Sequence, residues 1–220
     1  HARQFDDELA RRPAGSQEEE AAAVYILGHL QRAGYSVRLE AVPVADTVTS
    51  TDVIALPPGG GEPEAVVAVA YDTDEGPAAN GDSIGLFLEL ARALSVAERG
   101  HAAEFVALGA EHSPLGGGQL GSRRLVRLLV DAGHHPVVVT IEAIRGGSGA
   151  GFGAFGSKDS DLAAVAERLG VPALPSPRDP SVSEALARRA RLFADAGLPH
   201  AGVVGGVEEV GRVLLAYLTS

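Results

Sequence analysis

Five carboxylates and one imidazole fall just after three apolar runs. Asp72, Asp74 and Glu75 follow residues 66–70, Glu111 and His112 follow 102–108, and Glu142 follows 137–141. Carboxylates and imidazoles brought together can hold a cation, and a carboxylate beside a bound water can take its proton. In an open parallel sheet, the loops beyond the carboxyl ends of the strands meet in one crevice. Three separate strands ending in this way would deliver all these groups to one place. Ordinary polar capping of loops is the competing reading of the same residues.

The elements that must position them follow from periodicity. Ser16 is a good N-cap with Glu19 three residues on, and a helical stripe (Ala22, Tyr25, Ile26, His29, Leu30) runs to Gly34. Tyr35–Val44 and Thr47–Leu56 read as strands, and the turn-rich PPGGGEPE makes the second an antiparallel neighbour of Ala65–Ala70. Helices are expected over Ser83–Val96, Gln119–Ala132, Asp159–Leu169, Ser183–Ala196 and Val207–Leu218. Strands are expected over Ala102–Leu108, Val137–Ile141 and His200–Val204, with PALPSPRDP as an irregular connection. Strands alternating with helices after residue 65 give an α/β chain: a three-layer α/β/α sandwich with a mixed, centrally parallel sheet. Residues 1–220 read as one domain, with no repeat and no linker.

Composition bounds the function. Apolar residues make up 45% of the chain, enough for a core, while aromatics make up only 5%, so that core is built from Ala, Val and Leu. A net charge of −11 argues against nucleic acid or an anionic membrane surface as partner. With no Cys, disulfides and thiolate zinc sites are excluded. No run reaches the ~20 apolar residues of a membrane span. The absence of Met, even at position 1, marks a trimmed or processed piece. From this an extracytoplasmic or membrane-anchored location is expected, with any anchor outside the given chain.

Other motifs carry less. The glycine-rich stretch 146–157 lacks the phosphate-loop spacing and reads as a loop. Ser122, in GSRR, lacks the Gly-x-Ser-x-Gly elbow of a hydrolase nucleophile. His134 and His135 precede Pro136 in a turn and read as surface residues.

The order of several segments resembles a known family. These are RRPAGSQEEEAAAVYILGHLQRAGYSV, DVIALPPG, GPAANGDSIGLFLELARAL, FVALGAEHSPLGGGQLGSRRLV and FADAGLPHAGV. Together they resemble the di-zinc aminopeptidases of the bacterial leucyl aminopeptidase type, within the zinc exopeptidase superfamily, from about residue 11 onward. The resemblance implies that superfamily's fold and a site that departs from its pattern. Where the family has the His of a His-x-Asp triplet, this chain has Ala70, leaving Asp72 with no imidazole to orient. The metal-bridging Asp aligns with Gly81, after Asn80, with Asp82 one residue further as a possible substitute. The Glu-Glu pair becomes Glu111-His112, in which Glu111 matches the general base and His112 replaces a carboxylate ligand. The later Asp ligand matches Glu142, and the final His aligns with Ala190.

Two expectations follow from the resemblance. The first is a catalytically degenerate homologue with a binding or structural role, no cofactor, and a peptide or protein ligand in a cleft near Asp72, Asn80 and Arg145. In that case carboxylates crowded without a metal need another cation, and Arg145, Arg188 and Arg189 are the candidates. The second is an active hydrolase with a single zinc held by His112, Glu142 and Asp82, with Glu111 as base.

Overall fold

The computed structural model describes residues 1–57, 60–74, 80–97, 102–145, 151–174 and 180–220, with the side chains of Arg145, Pro180 and Ser181 outside the description. The expected acidic group Glu75 lies outside the described residues, as do parts of the PPGGGEPE turn, the glycine-rich stretch and the PALPSPRDP connection.

The strand Ala65–Ala70 (β3) is AVVAVA, and its side chains alternate between two apolar layers. Ala65, Val67 and Val69 face one core, while Val66 and Ala68 face the other. Ala103–Leu108 (β4) divides in the same way. A strand buried on both faces reads as a continuous apolar run, which is why these central strands stand out in the sequence. On the first face pack the helices Gln17–Arg32 (α1), Gly81–Ser95 (α2), Asp159–Arg168 (α4) and Val207–Leu218 (α6). On the second face pack Leu120–Ala132 (α3) and Pro180–Asp195 (α5), through Leu125, Leu129 and Phe193. The three-layer sandwich expected from the sequence is present.

The remaining strands are Ser36–Ala45 (β1), Val48–Leu56 (β2), Val137–Arg145 (β5), Phe152–Gly156 (β6) and His200–Gly206 (β7). The seven-stranded sheet has the order β1-β2-β4-β3-β5-β7-β6. Its centre, β4-β3-β5-β7, is parallel, and antiparallel pairs close both edges. One expectation is corrected here: the antiparallel neighbour of β2 is β4, not β3. The link through residues 57–64 is therefore no hairpin, and β4 inserts between the two strands that it joins. A second correction concerns the glycine-rich stretch. Its latter part is the edge strand β6, antiparallel to β7, and its glycines hid it from a propensity argument.

Parallel register aligns the carboxyl ends of the central strands. Ala70 of β3 pairs with Leu108 of β4, and Val69 pairs with Ile141 of β5. Residues 72 and 109–112 therefore leave the sheet on the same edge, where the chain passes from β4 on one side of β3 to β5 on the other; Glu142 does not follow its strand as expected but lies within β5, at the irregularity between Ile141 and Ile144. The N-terminal residues contribute here as well. A π-helical turn, Gln4–Glu8, buries Phe5 and places Asp6 Oδ1 where it accepts the Gly81 N–H at 3.0 Å. A cap supplied from a distant segment explains why α2 starts at Gly81 rather than at the expected Ser83. Among the described residues, no helix is long and apolar enough to cross a membrane.

Candidate functional site

Glu111 reaches its place through a tight turn. As β4 ends, the Gly109 N–H donates to Asp52 Oδ1 at 2.9 Å. A Cβ at Gly109 would overlap the Ser50 hydroxyl and the Thr51 carbonyl, so only glycine fits. Ala110 then takes a left-handed conformation, with φ +52°. The turn brings Glu111 beneath the start of α3. Its Oε1 accepts the Ser122 N–H at 2.6 Å, and its Oε2 accepts the Ser122 hydroxyl at 3.0 Å. Ser122, no elbow nucleophile, is thus the partner that fixes Glu111.

Arg189 completes the arrangement. Its guanidinium, on α5, donates through Nη2 to Glu111 Oε2 and through Nη1 to Glu142 Oε1. The residue is only 5% exposed, and the Glu111 side chain is fully buried. Burial alone would lower the Arg189 pKa, but the two carboxylates override it and hold the guanidinium charged. Burial would likewise raise Glu142, and Arg189 reverses this, so its pKa falls below the usual carboxylate value. Among the described side chains of the three arginines named from the sequence, Arg189 is the one placed between carboxylates. Arg188, one residue away, faces solvent and pairs with Glu184 at 3.0 Å. The side chain of Arg145 lies outside the described residues.

Glu142 is held from behind by a relay that the sequence did not announce. Thr140 Oγ1 donates to Glu142 Oε1 at 2.7 Å and lies 3.0 Å from His200 Nε2. A hydroxyl has one proton to give, so His200 is the donor to Thr140 and carries a proton at Nε2. Burial pushes the His200 pKa down to about 4, consistent with a neutral ring. The ring stacks on Phe193 at 4.8 Å. In the sequence His200 is only the first residue of an apolar strand, and nothing there signals a role.

Asp72 has a partner after all, which corrects the expectation that it has no imidazole to orient. Oδ2 accepts the His112 backbone N–H at 2.8 Å, and Oδ1 lies 3.1 Å from His112 Nδ1. A carboxylate oxygen accepts, so His112 Nδ1 carries the proton and Nε2 is the nitrogen left over. Burial tends to lower the His112 pKa, but Asp72 outweighs it and the pKa rises. The imidazole thus comes from the end of β4 and not from position 70, where Ala70 stands.

Asn80 joins the crevice floor to the N-terminal segment. Its Nδ2 donates to the Ala70 carbonyl at 3.3 Å, and its Oδ1 accepts from Arg12 Nη2. The buried Arg12 also donates to the carbonyls of Tyr71, at 2.6 Å, and Phe5, at 3.0 Å. Next to Asn80, a Cβ at Gly81 would overlap the Ala2 carbonyl and lie 2.6 Å from Asp6 Oδ1. No side chain can project from position 81 unless the N-terminal segment moves. Asp82 follows in the first turn of α2 and is half-buried.

These residues do not fit a two-zinc centre. Glu111 and Glu142 share a guanidinium, and His112 is turned onto Asp72. Among the described residues, no three His, Asp or Glu side chains are gathered as cation ligands.

No protein-family model and no curated protein matches the sequence. Solved structures do match. A Zn-dependent exopeptidase from Parabacteroides distasonis superposes with a TM-score of 0.74 at 13% identity, covering 100% of this chain and 97% of that one. A zinc aminopeptidase from Bacillus subtilis gives 0.72 at 13% identity, covering 98% and 92%. A glutaminyl cyclase from Fimbriiglobus ruber gives 0.74 at 18% identity, covering 99% and 92%. At such low identity these likenesses establish the fold, which is that of the zinc exopeptidases.

Proposed function

We propose that this chain, built on the zinc-exopeptidase fold, is a catalytically degenerate homologue that binds a peptide or protein ligand rather than hydrolysing one. The observation that carries this reading is the Arg189 guanidinium bridging Glu111 and Glu142. A general base needs an oxygen free to take a proton from water. Both oxygens of Glu111 already accept hydrogen bonds from within the chain, Oε2 from both the Ser122 hydroxyl and the Arg189 guanidinium, so most of its lone pairs are engaged internally rather than offered to a water. A cation ligand must also face its metal, and Glu142 faces Arg189 instead.

The test is metal content and activity together. Protein purified without chelator is expected to hold well under one zinc per chain and to leave aminoacyl reporter substrates intact, with or without added zinc. Near-stoichiometric zinc, with hydrolysis that disappears in Glu111→Gln, would replace this reading with that of a hydrolase built on a remodelled site.

A further inference from the structure

The turn that presents Glu111 and His112 rests on a second buried carboxylate that plays no part in the crevice. Glu19, in the first turn of α1, is 3% exposed. Its Oε2 accepts the Gly15 N–H at 2.6 Å, and its Oε1 lies 2.5 Å from the Ser50 hydroxyl. Gly109 is pressed against both Ser50 and Glu19 so closely that a Cβ there would lie 3.1 Å from Glu19 Oε1. One side chain therefore ties the N-terminal loop, β2 and the Gly109–His112 turn together.

We propose that Glu19 is a proton-operated latch on this turn, so that gain or loss of one proton resets how Glu111 and His112 are presented to the crevice. The inference depends on how the turn is held and is independent of whether the crevice binds or hydrolyses its ligand. When ionised, Glu19 accepts from Ser50 and Gly15, and the Ser50 hydroxyl that it holds lies against Gly109. When protonated, it can return the short bond to Ser50 as donor, which turns the hydroxyl that Gly109 packs against.

The surroundings make the switch operable near neutrality. The groups around Glu19 are Ser50 and Asp52 of β2, Tyr71 and Asp72 after β3, and the Gly109–His112 turn after β4. Asp72 opposes its ionisation. Burial is the larger influence, and together they raise its pKa to about 7. A pocket of about 220 Å³, lined by Gly15, Ser16, Glu19, Thr49, Thr51 and Tyr71, gives the proton a route to solvent. Asp72 is also the partner of His112.

The experiment is a pH titration by NMR of the whole chain, following the Glu19 side-chain carboxyl carbon and the backbone amides of Gly109 and Ala110. The carboxyl carbon is expected to titrate with its midpoint near 7, with both amides shifting at the same midpoint. The His112 pKa is itself raised above its ordinary value by Asp72, so His112→Gln separates the sources. The amide inflection should persist in His112→Gln and be lost in Glu19→Gln. A Glu19 carbon that titrates with the ordinary surface carboxylates, amides that do not move, or an inflection lost in His112→Gln would each overturn the latch. The carbon measurement needs no variant, so a Glu19→Gln chain that failed to fold would leave the test intact.

Discussion

Arg189 balances two buried carboxylates, and its removal should be felt in stability before anything else. In Arg189→Met, Glu111 and Glu142 would face each other with no counter-charge, and urea unfolding is expected to show a loss of about 3–5 kcal/mol. Arg189→Lys should recover only part of this loss, because one ammonium cannot span both carboxylates as the planar fork does. The pH dependence has two sides. His200, held near 4, and Glu142, held below its ordinary value, stabilise the fold at neutral pH. That contribution disappears as pH falls through their folded-state values. Glu19 has the opposite sign, with a pKa raised from 4.5 to about 7. Its contribution is full below 4.5 and is lost as pH rises through about 7, at most on the order of 3 kcal/mol. Thermal melts across pH should therefore peak between about 4 and about 7, and Glu19→Gln should flatten the decline on the neutral side. At this scale the sequence pointed to Glu111, Glu142 and three arginines. It could not choose among those arginines, because the choice depends on which face α5 turns inward. His200 left no trace, since a strand-initial histidine has many ordinary uses.

The elements were more legible than their ends and neighbours. Ser16 and Glu19 marked the start of α1, although Glu19 caps Gly15 rather than the expected Ser16 N–H. The start of α2 was misplaced because its cap, Asp6, lies 75 residues away in sequence. Asp6→Ala should cost about 1 kcal/mol, measured by denaturant unfolding, since it leaves the Gly81 N–H without its partner. Gly81→Asp, which would restore an acidic side chain at that position, is expected to lower the melting temperature, since the Ala2 carbonyl occupies the space a Cβ needs. The strand pairing was misread for a physical reason. Adjacent strands in sequence favour a hairpin, but a buried parallel centre placed β4 between β2 and β3.

For the molecule as a whole, the α/β sandwich followed from double-faced apolar strands alternating with amphipathic helices, and the resemblance of five ordered segments pointed to the same architecture. What local pattern could not supply was charge neutralisation. The parallel register brings Asp72 and Glu111 to the carboxyl edge of the central strands, beside Glu142. In this chain a guanidinium from α5, an imidazole from the end of β4 and a carboxylate from the N-terminal segment fill that edge with internal partners. The most direct measurement of that substitution is anomalous scattering at the zinc edge, from crystals grown with excess zinc. The account predicts no zinc peak in the crevice and clear density for the Arg189 guanidinium between Glu111 and Glu142. A pair of strong peaks beside Glu111, with Arg189 swung away, would contradict it.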